Sequence, residues 1–208
     1  MKQGFVKVAS ATPRIRVADP VYNAQVICEQ AKEAAEHGAK IVVFPELCIT
    51  GYTCNDLFLQ ELLLEKAKEA LLTIAEETGQ LETLFLVGLP VDKDGRLYNV
   101  AAVLYRGRIL GMIPKKNIPM YAEFYEGRHF TPGEETVTEY RLGKQVIPFG
   151  SNLLFRCEEL PELILGCELC EDLWVAEPPS TSHALMGATV IANLSASNET
   201  VSKDDYRT

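Results

Sequence analysis

The sequence predicts a mixed α/β fold in which helices pack on sheets. Two observations carry this reading. Helical apolar spacing alternates with short strand-like runs early in the chain, and a glycine-centred hairpin pattern occupies its middle. Residues 6–11 (VKVASA) alternate apolar and polar side chains and read as a strand that stops before Pro13. Asp19 suits a helix cap, Pro20 suits the first helical position, and Val21, Ala24, Ile27, Ala31, Ala34 and Ala35 recur at helical spacing through 20–37. Gly38 ends that helix in a left-handed conformation. Residues 41–44 (IVVF) are continuously apolar, as in a strand covered on both faces. Residues 56–78 read as one long helix or two short ones, closed by Gly79. Residues 84–89 (LFLVGL) make the next strand, a turn at Gly95 leads to 100–105, and Gly107 turns the chain into 109–113. Residues 114–138 are irregular. Strands follow at 151–157 and 163–167, then a short helix at 180–186 and a last strand at 189–194. The 145–162 stretch reads as an internal loop. Gly88, Gly95, Gly107 and Gly111 read as turn glycines rather than a phosphate-binding loop.

A chain of 208 residues suits one domain, 1–208. At this length folding buries roughly 70% of the unfolded surface, so no disulfide or metal staple is needed for stability. Lys and Arg number 20 against 29 Asp and Glu, a net charge of −9 that argues against a nucleic-acid partner. No apolar run reaches the ~18 residues of a membrane span, and the N-terminus lacks the apolar core of a secretory signal. A cytoplasmic protein with no membrane partner is therefore expected. The six cysteines are too sparse for a disulfide scaffold. Most are expected to be small buried residues, with at most one carrying chemistry.

Reactive groups in α/β folds collect beyond the carboxyl ends of strands. Glu46 follows IVVF, Lys115 and Lys116 follow GMIP, and Cys170 follows LILG by a few residues. If Glu46, Lys115 and Cys170 converge, they form a coherent set for cleaving an amide. A thiol is only a few per cent ionised at neutral pH and needs a base, which Glu46 supplies. The same carboxyl can return the proton to the departing nitrogen. Lys115 can stabilise the oxyanion of the tetrahedral intermediate. Cys170 also precedes E-D-L-W, which suits a helix start whose dipole favours a thiolate, with Glu171 and Asp172 opposing it. Taken singly, these residues have plainer readings as a strand-end carboxylate, a surface lysine and a core cysteine. Cys167 and Cys170 have CxxC spacing, but no second CxxC exists and His37, His129 and His183 are scattered. Neither a metal site nor a redox pair is expected.

VVFPELCITGY (42–52), PKKNIPMYAEFYEGRHF (114–130) and LGCELCEDLW (165–174), with NLSAS at 193–197, resemble the motifs of the nitrilase superfamily, the carbon–nitrogen hydrolases. The resemblance implies a four-layer αββα sandwich. It also implies Cys170 as nucleophile, Glu46 as base and then acid, and Lys115 as oxyanion stabiliser. Within the superfamily, P-K-x-x-x-P-x-Y-x-E-F-Y-E and C-E-D-L-W are similar to the glutaminase domains of glutamine-dependent NAD synthetases. That likeness implies glutamine as substrate and Glu126 as the support of Lys115. Tyr121, Glu171, Ser197 and Lys203 are implied as glutamine-binding residues, Lys203 standing where the family carries a basic residue, often Arg. Ammonia would pass to a C-terminal synthetase domain. No cofactor is implied for this chain, ATP and magnesium being needed only in that synthetase domain. A homo-oligomer is implied by face-to-face pairing of such sandwiches. The sequence closes on DDYRT (204–208) with no glycine-rich nucleotide loop, so truncation at the C-terminus, without the last strands and the synthetase domain, is expected. Two other readings use the same residues: a stand-alone hydrolase of another small amide, and a non-catalytic scaffold.

Overall fold

A computed structural model describes residues 4–203 and 205; residues 1–3, Asp204 and 206–208, which include most of DDYRT, lie outside the described residues. The strands are β1 (Val8–Ser10), β2 (Ile41–Val43), β3 (Leu84–Lys93), β4 (Arg96–Tyr105), β5 (Arg108–Pro114), β6 (Thr138–Leu142), β7 (Gln145–Phe149), β8 (Leu154–Arg156), β9 (Ile164–Leu169) and β10 (Val190–Leu194). The helices are α1 (Pro20–Glu36), α2 (Glu61–Glu77) and α3 (Pro179–Leu185). A seven-stranded sheet has the order β1-β2-β3-β4-β5-β7-β6, and a three-stranded sheet the order β10-β9-β8.

Local chemistry explains the elements. The Asp19 carboxylate accepts from the Tyr22 N–H at 3.1 Å, Pro20 opens α1, and Gly38 follows it at φ +82°. Strand alternation then sorts side chains to two faces. Val42, Phe85, Val87, Leu89, Val100 and Ala102 meet Ala24, Ile27 and Ala31 of α1 and Ala67, Leu71 and Ile74 of α2. On the opposite face Ile41, Leu86, Ala101, Val103 and Ile113 meet Leu165, Cys167 and Leu169 of β9 and Ala192 and Leu194 of β10. Gly166, of the other parity in β9, lies against His183 of α3. The layers are therefore helix, sheet, sheet, helix, the αββα sandwich. No helix is long and apolar enough to cross a membrane.

Sheet direction places the site. β1, β2 and β3 are parallel, and β3–β4 and β4–β5 are antiparallel. Two reversals make β5 run with β2. Glu46 and Lys115 therefore leave the large sheet at the same edge.

Three sequence expectations fail. Besides the strand expected at 151–157, found as β8, the 145–162 stretch is not a loop: it holds β7, which forms a hairpin with β6. The two strands of that hairpin bury only Tyr140, Leu142, Ile147 and Phe149, too few for a visible period. Gly88 and Gly111 are not in turns, unlike Gly95 (φ +73°) and Gly107 (φ +75°), but inside β3 and β5. A Cβ on Gly88 would stand 2.3 Å from the Leu47 nitrogen and 2.8 Å from the Pro45 oxygen. The loop carrying Glu46 lies directly on that strand. Finally, β3 does not stop at Leu89. β2 pairs with it only as far as Leu86, so Pro90 has one ladder to satisfy rather than two.

Gly88→Ala is expected to lower stability by about 1–3 kcal/mol through this collision. Thermal unfolding measures it, and an unchanged midpoint contradicts the close approach.

Candidate active site

Glu46 sits on the loop after β2, held on β3 by the Ile49 N–H donating to the Gly88 carbonyl at 3.1 Å. Leu47, next in the chain, takes φ +53°, a conformation uncommon outside glycine, and so turns the loop sharply. Lys115 follows β5, its N–H donating to the Asn99 carbonyl at 2.8 Å. Cys170 follows β9 at φ +43° and opens a 3₁₀ turn, Cys170–Trp174. That turn corrects the expected helix start. Five residues of 3₁₀ supply little of the dipole that would favour a thiolate.

The side chains converge between the sheets. Lys115 is fully buried, and its Nζ donates at 2.7 Å to Glu46 Oε1 and at 2.7 Å to Glu126 Oε1. Glu46 is 2% exposed and Glu126 6%. Asn99 Nδ2 donates to Glu46 Oε1 at 2.7 Å and reaches Glu126 Oε2 at 3.5 Å. The Tyr52 hydroxyl donates to Glu126 Oε1 at 2.7 Å, and the Ala196 N–H to Glu46 Oε2 at 3.2 Å. Cys170 feels the charges of both Glu46 and Lys115, and Ser195 and the Ala196 backbone lie near enough to favour its thiolate. Lys116 turns away and pairs with Glu135. Cys167 is buried in the intersheet core, and both it and Cys170 are free thiols.

Asp172, 1% exposed, straps the two loops together. Its carboxylate accepts from the Asn117 N–H at 2.7 Å, Asn117 Nδ2 at 2.9 Å, the Leu169 N–H at 3.0 Å and the Lys116 N–H at 3.5 Å. The lysine loop and the cysteine loop are thus pinned to one carboxylate.

The other expected residues lie at the rim. The Tyr121 hydroxyl donates to Glu171 Oε2 at 2.7 Å. Lys203 Nζ donates to Ser197 Oγ at 2.7 Å, to the Asn198 carbonyl at 2.9 Å and to the Asn198 side-chain oxygen. A pocket of about 480 Å³ opens beside Glu126, lined by Tyr52, Phe58, Phe124, Ala196 and Ser197 among others. Tyr121, Glu171 and Lys203 do not line it. Among the described residues no group of three or more His, Cys, Asp and Glu could hold a metal ion.

Known proteins resemble the chain in sequence and fold. The carbon–nitrogen hydrolase profile matches residues 7–206. The chain belongs to the carbon–nitrogen hydrolase family. It is 41% identical over 206 residues to a glutamine-dependent NAD(+) synthetase of Mycobacterium bovis, covering 99% of this chain and 30% of that protein. A crystal structure of a glutamine-dependent NAD(+) synthetase from Cytophaga hutchinsonii superposes with a TM-score of 0.85 at 29% identity, over 97% of this chain and 32% of that one. An amidase from Nesterenkonia sp. shares the fold, with a TM-score of 0.70 at 21% identity over 96% of this chain and 68% of that one. The chain thus spans about a third of the length of the synthetases it resembles.

In this carbon–nitrogen hydrolase, burial sets the protonation states. It pushes the Cys170 thiol up to about 11, with Glu46 adding and Lys115, Ser195 and the Ala196 N–H opposing. Burial also raises the Glu46 carboxyl, against the pull of Lys115 and with Glu126 adding to the rise. For Lys115 burial works against the charge, but the two carboxylates outweigh it and hold the ammonium protonated. Tyr52 is raised well above the phenol range, by burial first and then by Glu126, and so remains a donor. Its hydrogen bond to Glu171 pushes Tyr121 up to about 12. The resting site holds a thiol, a carboxyl poised to exchange a proton, and a fixed cation.

Sequence reasoning assigned no role to Tyr52, Asn99 or Ala196, and read Asp172 only as a charge opposing the thiolate. Three of the four lie in quoted motifs: Tyr52 closes the first, Asp172 lies within C-E-D-L-W and Ala196 within NLSAS, while Asn99 is a polar residue next to the apolar run 100–104.

Because the fold favours the protonated sulfur, the Cys170 thiolate should appear at higher pH than in a free cysteine. The ultraviolet thiolate absorbance lost in Cys170→Ala is expected to titrate with a midpoint at about pH 11. A band already present at pH 7 contradicts this. Asp172→Ala leaves the Asn117 and Leu169 N–H groups without their acceptor and is expected to lower stability by about 2–4 kcal/mol in denaturant unfolding.

Proposed function

We propose that this chain is a glutamine amidohydrolase whose ammonia serves the amidation of deamido-NAD by an ATP-dependent synthetase domain outside it. The observation that carries the reading is the buried Glu46–Lys115–Glu126 cluster beside Cys170. The names of its mycobacterial and Cytophaga relatives support glutamine as the nitrogen donor. The Tyr121–Glu171 and Lys203–Ser197 pairs support it at the rim. Glutamine carries one ammonium and one carboxylate. Glu171, oriented by Tyr121, meets the first, and Lys203 with Ser197 meets the second. A Lys at that place gives a point charge rather than the fork of an Arg.

The reaction follows from the protonation states. The Cys170 sulfur attacks the side-chain amide carbon as its proton passes to Glu46. Lys115 stabilises the oxyanion that develops. Glu46 returns the proton to the nitrogen, which leaves as ammonia, and a γ-glutamyl thioester remains. Water then attacks the thioester, with Glu46 taking a proton from it and handing one back to sulfur. Side chains suffice for each step. On this reading the protein works in the cytoplasm as a homo-oligomer.

Ammonia release from glutamine tests the proposal. Cys170→Ala is expected to abolish it, and Glu46→Gln to lower kcat by about 10³-fold. Lys203→Ala is expected to raise KM while leaving kcat nearly unchanged. A diazoketone analogue of glutamine should modify Cys170; modification at Cys28 or Cys157 instead contradicts the assignment. Turnover of another small amide with glutamine ignored would indicate a stand-alone amidase.

A further inference from the structure

The two oxygens of Glu46 are not equivalent. Oε1 takes two short hydrogen bonds, from Lys115 Nζ at 2.7 Å and Asn99 Nδ2 at 2.7 Å. Oε2 takes a longer one from the Ala196 N–H at 3.2 Å. Cys170 lies close enough to Glu46 to feel its charge, and the Ala196 backbone is among the groups that act on its thiol. Oε1 is thus occupied by two short donors, and Oε2 is the oxygen left free for a further partner.

Asn99 is the less expected member of this arrangement. It is fully buried in β4, and its Oδ1 has no hydrogen-bond partner among the described residues. A leucine of similar shape would leave no buried carbonyl unpaired, so packing does not explain the amide. Its orientation does. Nδ2 points at both carboxylates, at 2.7 Å from Glu46 Oε1 and 3.5 Å from Glu126 Oε2. Turning the amide over would set its oxygen against two carboxylates. The unpaired Oδ1 is the consequence of keeping the donor end on Glu46.

We propose that Asn99 is a positioning residue which, with Lys115, occupies Oε1 of Glu46 and so dedicates Oε2 to proton transfer with Cys170. The inference rests on the proposed amidohydrolase reading only for the identity of the amide. As the S–C bond forms, the S–H proton goes to Oε2. As the C–N bond breaks, Oε2 gives that proton to the leaving nitrogen. In the second half Oε2 takes a proton from the attacking water, and sulfur regains one as its bond to carbon breaks. The titratable groups facing Glu46 are Lys115 from the end of β5, Glu126 from the turn at 126–128, Tyr52, and Cys170 from the end of β9. Asn99 adds a neutral donor among them. Without it the Glu46 carboxylate holds its proton more strongly.

The test is the pH dependence of Cys170 alkylation by iodoacetamide, with the site confirmed by peptide mapping. In the parent protein the rate climbs with pH until Glu46 ionises, then levels, because beyond that point the reactive form is the thiolate paired with protonated Glu46. In Asn99→Leu this break is expected to move up by about one pH unit, with a plateau about tenfold higher, the size of one hydrogen bond to a charged group. Glu46→Gln should show no break. The acid limb of ammonia release should move with the alkylation break. A folded Asn99→Leu protein, checked by circular dichroism, whose break stays in place while the rate falls uniformly would overturn the proposal. If Asn99→Leu does not fold, Asn99→Thr decides in the same way, its hydroxyl being too short to reach Glu46. A parent protein that leaves glutamine intact but shows the Asn99-dependent break would remove the glutaminase reading and leave this one standing.

Discussion

A fully buried ammonium held between two carboxylates is the interaction on which the rest of the molecule depends. Taking Lys115, Glu46 and Glu126 out of water is costly for each ion, and the cluster persists only because every charge finds close partners. Lys115 is satisfied by two oxygens at 2.7 Å, and the carboxylates are satisfied in turn by Asn99, Tyr52 and the Ala196 N–H. With one cation and two acids, the fully ionised cluster carries a net negative charge. Burial is the first cause that raises the Cys170 thiol and the Glu46 carboxyl, and the neighbouring carboxylate adds to each rise.

Holding such a cluster constrains the backbone around it. Leu47 and Cys170 both adopt positive φ, one just after the carboxyl and the other at the thiol itself. Strain of this kind persists where surrounding structure over-determines it. Here the surrounding structure can be named. The Glu46 loop lies on Gly88, where no side chain would fit, and Asp172 ties the backbone at 116–117 to that of Leu169. The reactive groups thus hang from rigid strand ends, and the loops between them are fastened to one another.

The site divides into a dry interior and a wet rim. The Glu46–Lys115–Glu126 cluster is shielded from solvent, where electrostatic interactions are strong. The Tyr121–Glu171 and Lys203–Ser197 pairs are exposed, and charges there are screened. On the proposed reading they choose and orient the zwitterionic substrate rather than stabilise a transition state. The pocket walled by Phe58 and Phe124 reaches Glu126 of the interior and Ser197 of the rim.

Much of this was legible in the chain. The Asp19–Pro20 start and Gly38 end of α1, the apolar run of β2 and the hairpin at Gly107 are local patterns, and local patterns survive translation into structure. The order Glu46, Lys115, Cys170 after successive strands was legible for the same reason. The hairpin of β6 and β7 was not, because its few buried side chains gain their meaning from β5 alongside. Nor did periodicity separate Lys115 from Lys116 or Cys170 from Cys167, which only the family motifs did, and nothing in the letters gave Asn99 its role. Those distinctions depend on which face a side chain takes and on what the second sheet brings opposite it. Periodicity belongs to the chain, but convergence of distant side chains is a property of strand direction and sheet stacking, and only the folded sandwich settles it.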